Sequence, residues 1–277
     1  MLKTNRASDF LKNLYCKMLK KLVFYVLIFS FFQTQGQNLN QVSKENDSLK
    51  QVIQSLSFYL SEIENTLPNV LIRQIKTTDI QLTLYIPFGL DIALTSQRPE
   101  ISDSVYFCIP AAYTAKDTTI DGLYIINGRI ADSVFNEKLT GACIMDGQLL
   151  QIIKREELSK RLINQIIQDS FSFFQQSILV RNSEIVICDL FKERKNIRRA
   201  LVIFPDYSCI AESVDQVTIL EFQKSLIESG AIDAIYLDMG TWSEGWYKNN
   251  KCEIKKIGEK FYNTHLQTNW LIFKTLN

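Results

Sequence analysis

Two acidic residues in this chain stand where an apolar strand gives out. Glu212 closes the run "SCIAES" and Asp238 closes "AIYLD". Loops that leave strand ends are where binding and catalytic groups collect. If the two strands lie near one another in a sheet, both carboxyls emerge together. A carboxyl pair flanking a glycosidic bond is the equipment of glycoside cleavage, one group protonating the leaving oxygen and the other acting as base or nucleophile. Beyond Asp238 come two glycines, Gly240 and Gly245, with Trp242, Trp246 and Tyr247 between and after them. Such rings offer flat apolar faces for a sugar to lie on. The same residues fit a purely structural reading, in which the acids cap turns and the aromatics are core.

Other chemistries are excluded by what the chain lacks. It has one histidine, His265, so a His-rich metal site of the HExxH kind cannot be assembled. A serine triad would depend on that one residue, which lies near a chain end in a polar stretch. Ser243 sits one step off the G-x-S-x-G spacing between Gly240 and Gly245. No glycine-rich phosphate loop and no CxxC pair occurs. No metal and no cofactor is expected. With 31 basic against 30 acidic residues and a net charge of +1, the chain lacks the cationic excess that nucleic-acid binding requires. The cluster "KERKNIRR" (Lys192–Arg199) reads as a solvated face.

The first residues carry an address. "KMLKK" (Lys17–Lys21) is basic, "LVFYVLIFSFF" (Leu22–Phe32) is apolar, and "QTQGQ" follows. That is the layout of a secretory signal peptide, with cleavage expected after Gly36. The apolar run is too short to cross a hydrocarbon core of about 30 Å as a helix, so no membrane span is expected after cleavage. An uncleaved interfacial helix is the alternative. No cysteine follows closely enough for a lipid anchor. Export places the mature chain outside the cytoplasm. Removing Cys16 from the six cysteines leaves Cys108, Cys143, Cys188, Cys209 and Cys252, an odd number that cannot all pair within one chain. Cys108, Cys188 and Cys209 lie in apolar runs, where a thiol behaves as a small hydrophobe.

The elements that must position Glu212 and Asp238 follow from periodicity. Leu49, Ile53, Leu56, Leu60, Ile63 and Leu67 form a heptad seam, so an amphipathic helix is expected before Pro68. It packs on its own domain or pairs with a second chain as a homo-oligomer. Apolar runs at Leu82–Phe88, Val105–Thr114, Gly122–Gly128, Ala142–Ile153, Ser177–Cys188 and Arg199–Ser213 read as strands. Turns are expected at Asp146-Gly147, Asn182 and Asp206. Helical periodicity occupies Glu156–Gln168, and a Thr218-x-x-Glu221 capping box opens a helix that ends at Gly230. Asp233–Gly240 and Asn269–Lys274 are the last strands. The expected fold class is α+β: a large mixed sheet with a few packed helices, preceded by the amphipathic helix. The expected organisation is residues 1–36 as signal peptide, 37–68 as helical segment and 69–277 as the main domain.

The order of these segments resembles the phosphodiester glycosidase family, the domain of the enzyme that uncovers mannose 6-phosphate. Gly230-Ala231, Asp233-Ala234, Tyr236-Leu237-Asp238, Gly240 and Ser243 match the family's "lGa-dAlyLDGG-S" strand and loop. Upstream, "GLYIING", "QSILVRNSEI" and "RRALVIF" are similar to three further family segments, so the resemblance covers about Val105 to Lys274. It implies a hydrolase that frees a sugar from a phosphodiester or related glycoconjugate. In that reading Asp238 and Glu212 divide the acid and base roles, Arg199 holds the phosphate, and Ser243 donates a hydrogen bond. Gly240, Trp242 and Tyr113 contact the substrate. Asp238 would end a central strand at the floor of a pocket walled by the aromatic loop. The chain departs from the family pattern twice. "PAAYT" (Pro110–Thr114) stands where family enzymes have an Asn-Gly element, and Met239 replaces a glycine whose backbone freedom a methionine lacks. A non-catalytic glycan-binding or envelope scaffold protein that kept the fold is the reading from another class.

Overall fold

The computed structural model describes residues 49–50, 52–53, 68–102, 104–115, 117–147, 149–187, 193–239, 243–249, 252–260 and 262–275. The chain divides at Asn65/Thr66, and the fold lies in the second unit, Thr66–Asn277. The expected signal segment falls outside the described residues. So does most of the heptad stretch, of which Leu49, Lys50, Val52 and Ile53 are described, all helical.

Seventeen strands form three sheets among the described residues. The largest runs, in spatial order, β1 (Asn69–Lys76), β2 (Gln81–Phe88), β13 (Ser208–Ser213), β12 (Arg199–Ile203), β14 (Asp233–Tyr236), β10 (Ile178–Arg181) and β11 (Glu184–Ile185). The second holds β16 (Ile254–Ile257), β15 (Gly245–Lys248), β4 (Val105–Pro110), β17 (Trp270–Thr275) and β3 (Leu90–Thr95). The third holds β6 (Arg129–Asp132), β5 (Tyr124–Ile126), β9 (Ser172–Gln176), β7 (Gly141–Asp146) and β8 (Leu149–Lys154). Every pairing in them is antiparallel.

This corrects the expected α+β class with its large mixed sheet. The two helices of the domain are real: α1 (Lys160–Gln168), capped by Ser159, and α2 (Ile219–Glu228), with the reciprocal Thr218–Glu221 box. They are outnumbered by strands that the apolar periodicity does not announce. Strand β1 is an edge strand whose Ile72, Arg73, Gln74 and Lys76 are exposed, so half its sequence looks like loop. Strand β15 lies inside the stretch read as an aromatic loop. Antiparallel pairs can be joined by short hairpins, and six of the fourteen pairings here join consecutive strands, β1-β2, β5-β6, β7-β8, β10-β11, β12-β13 and β15-β16.

One core joins the sheets. Tyr85, Leu201, Ile210 and Ile235 from the first sheet meet Phe107, Leu271 and Phe273 from the second and Tyr124, Cys143 and Phe174 from the third. Residues alternate along each strand, so Ala200, Val202 and Ala234 point to the other face, which Phe222 and Leu226 of α2 cover. Helix α1 covers the outer face of the third sheet through Ile166. Cys108, Cys143 and Cys209 are free and buried, and burial pushes all three thiols up, out of reach of ordinary redox chemistry.

Candidate functional site

Strand β12 runs antiparallel to both β13 and β14, which flank it. Its first residue, Arg199, therefore lies beside the last residues of its two neighbours. Arg199 pairs in register with Glu212, and its carbonyl accepts the Leu237 N–H at 3.0 Å. Asp238 is the next residue. The antiparallel order thus brings Glu212, Arg199 and Asp238 to one end of the largest sheet.

Arg199 is fully buried. Its Nε donates to Glu212 Oε2 at 2.6 Å, and its Nη2 makes an ion pair with the same oxygen. Nη1 donates to the Ser243 carbonyl at 3.2 Å. Gly258 is what permits this: it has φ +70°, and a Cβ there would sit 2.0 Å from the Ser243 carbonyl oxygen. Ser243 itself is buried, and its Oγ accepts the Glu259 N–H at 3.1 Å. That leaves the hydroxyl proton available to an acceptor. On the side of Glu212 stands Tyr85, two residues from the register partner of Glu212 on β2. Burial pushes the Tyr85 phenol up, and the Glu212 charge adds to the effect while Arg199 opposes it. The Tyr85 and Tyr247 rings touch, with centroids 5.5 Å apart.

Asp238 is 3% exposed. Its N–H donates to the Ala111 carbonyl at 2.9 Å, and its Oδ2 accepts the Thr114 N–H at 2.9 Å. Burial is the largest influence on this carboxyl and pushes its pKa well above the usual carboxylate range. The Thr114 amide and hydroxyl, the Arg199 charge and the Met239 N–H pull the other way without prevailing. Asp238 is thus a carboxyl whose surroundings favour its protonated form, beside the Arg199–Glu212 ion pair.

The segment "PAAYT" lies against Asp238, which it meets through the Ala111 carbonyl and the Thr114 N–H. Tyr113 is half-buried and turns to the α2 side of the sheet, its ring 5.8 Å from that of Tyr236. Gly240 and Trp242 lie outside the described residues. Trp246 does not wall the site: it is buried with Trp270, Cys108 and Ile272 on the outer face of the second sheet. Tyr247 points the opposite way along the same strand, toward Tyr85. Three residues with a part in this geometry were passed over in sequence: Tyr85, Thr114 and Asn269. Asn269 carried a signal, since a polar side chain heading the apolar run "WLIF" must find partners if buried. Among the described residues no three of His, Cys, Asp and Glu converge as metal ligands do.

No family model matches the chain, and no curated protein does. Solved structures do. The catalytic domain of zebrafish N-acetylglucosamine-1-phosphodiester alpha-N-acetylglucosaminidase, auto-inhibited by its pro-peptide, is similar at 13% identity over 77% of this chain and 84% of that one, with a TM-score of 0.49. A hypothetical protein from Synechocystis is similar at 9% identity over 75% of this chain and 62% of that one, with a TM-score of 0.51. At such identities the second likeness is one of fold.

Proposed function

We propose that the chain is an exported hydrolase of the glycosidase kind, releasing a sugar from a phosphodiester or related glycoconjugate. The observation that carries this reading is the pair of unlike carboxyls at one sheet end, with Asp238 buried and its pKa pushed up, and Glu212 held as the partner of Arg199. One carboxyl buried so that it favours its proton, near a second carboxyl held in an ion pair, suits an acid working beside a second carboxylate. Asp238 would protonate the leaving oxygen. Glu212 would act as base, or face the developing positive charge on the sugar. Arg199 would offset the phosphate charge, and the Ser243 hydroxyl would donate to substrate. The basic-apolar-polar N-terminus supports export.

A second reading, a glycan-binding or scaffold protein without catalysis, is favoured by one specific observation. Arg199, Glu212 and Asp238 each have partners within their own chain. Incubation with a panel of sugar 1-phosphodiesters separates the two. The hydrolase reading expects release of free sugar with a pH-dependent rate. Binding across the panel with no release would overturn it in favour of the scaffold. Export is tested by sequencing the N-terminus of secreted material, which should begin just after Gly36.

A further inference from the structure

Asn269 precedes β17 and is fully buried. Its Oδ1 accepts the Ala111 N–H at 3.2 Å, and its Nδ2 donates to Thr114 Oγ1 at 2.8 Å. Ala111 and Thr114 are the two residues that hold Asp238 by backbone. The four contacts close a ring that runs Asn269, Ala111, Asp238, Thr114 and back. Because an N–H must meet an oxygen, the Ala111 amide fixes which end of the Asn269 side chain faces which partner.

We propose that Asn269 is a positioning residue for Asp238, clamping the chain after β4 so that both the amide and the hydroxyl of Thr114 address the Asp238 carboxyl. This rests on the reading of Asp238 as the proton donor. The logic lies in counting protons. Thr114 Oγ1 accepts from Asn269, so its single proton is free to point elsewhere, and the Thr114 hydroxyl is among the groups that draw the Asp238 pKa down. A carboxyl this buried, without donors, would keep its proton too firmly to pass it on. Donors from Thr114 bring its proton affinity down toward the working range that a general acid needs. The charged group that bears on Asp238 is Arg199 of β12, itself paired with Glu212 of β13. The residue before β17 and the segment after β4 contribute the neutral groups Asn269 and Thr114. Asn269 reaches this segment from just before β17, more than 150 residues later in the chain.

Carbon-13 NMR titration of the full mature chain tests this, the Asp238 carboxyl signal being assigned by its loss in Asp238→Asn. Asn269→Leu keeps the approximate size and removes both hydrogen bonds; Thr114→Val removes only the hydroxyl, and Thr114→Ser restores it. The Asp238 midpoint should move upward in Asn269→Leu and in Thr114→Val and return to the wild-type value in Thr114→Ser. The alkaline limb of the pH-rate profile, where the general acid loses its proton, should move upward with it. An unmoved midpoint in folded Asn269→Leu overturns the proposal. If Asn269→Leu does not fold, Asn269→Ser, too short to span both partners, is read in its place against the same criterion. A wild-type chain that hydrolyses no phosphodiester overturns the functional reading alone, because the midpoints still decide the positioning role.

Discussion

Arg198 and Arg199 are neighbours in sequence, both buried, and they face opposite sides of the same sheet. Arg198 turns toward α2. Its Nε donates to the Val217 carbonyl at 3.1 Å, its Nη1 to the Tyr236 hydroxyl at 3.1 Å, and its Nη2 to the Arg194 carbonyl. The guanidinium also lies 5.9 Å from the Tyr236 ring centroid. Its named partners carry no formal charge. Arg199 turns toward the shared core and meets a carboxylate, with a second carboxyl within reach of its charge. Two buried arginines therefore do different work. Burial alone does not mark a site; the company of groups that can exchange protons does. Arg198 fastens the segment that launches α2, whereas Arg199 makes an electrostatic centre.

The comparison breaks most sharply at Arg199. Arg199→Met leaves the partly buried Glu212 without its partner, and losing one member of a fully buried pair costs about 3–5 kcal/mol, so a loss toward the lower end of that range is expected. Urea unfolding at neutral pH should report a loss of that size, and any turnover should vanish with it. Asp238→Asn acts on chemistry instead. It keeps the oxygen that accepts from Thr114 but cannot donate a proton to a leaving group, so turnover should fall by at least ~10²-fold. Stability should move the other way. The folded Asp238 binds its proton more tightly than an unfolded aspartate, whose pKa is about 3.9. Over the window from that value up to the raised folded value, unfolding releases a proton and wild-type stability falls as pH rises. Asp238→Asn should remove this falling slope and be the more stable protein at neutral pH. A series of unfolding curves against pH checks both the slope and its loss.

How much of this the sequence foretold differs between the two arginines. The turns at Asn182 and Asp206 and the Thr218–Glu221 box are all present, with Asn182 at φ +52°. They are legible because turn and cap chemistry is local. That Glu212 and Asp238 share a sheet end follows once β12 is seen to lie between β13 and β14, which no local pattern states. Charge patterning alone reads Arg199 as the end of the solvated cluster "KERKNIRR", because a buried arginine and an exposed one have the same neighbours in sequence. It is the family resemblance that makes it a substrate-binding residue. The aromatic stretch misled in the opposite direction. Trp246 and Tyr247 alternate across β15, one into the outer cluster and one toward Tyr85, and only the strand pairing decides which ring goes where.

Arg198→Met should be milder than its neighbour. The groups it leaves without a donor are neutral, and an orphaned polar group costs about 1–3 kcal/mol. Turnover should be kept. A loss as large as that of Arg199→Met, or a fall in turnover, would erase the distinction drawn between the two faces.

The smallest effect tests the same distinction by coupling. Thr218 caps α2: its Oγ1 accepts the Glu221 N–H at 3.2 Å, and the Glu221 carboxylate accepts the Thr218 N–H at 2.7 Å. Thr218→Ala should cost about 1 kcal/mol and leave turnover unchanged. Val217, whose carbonyl accepts from Arg198, directly precedes this cap, so Arg198 and Thr218 order one and the same stretch of chain. Once either is removed, the other has less order to preserve. The two losses should therefore fail to add in Arg198→Met/Thr218→Ala. In Arg199→Met/Thr218→Ala they should add within about 0.5 kcal/mol, as expected of sites with no shared partner. Unfolding measurements on the two double-mutant cycles decide it. Equal coupling in both would mean that the two faces of β12 form a single mechanical unit, and that the division between an anchoring arginine and a chemical one does not hold.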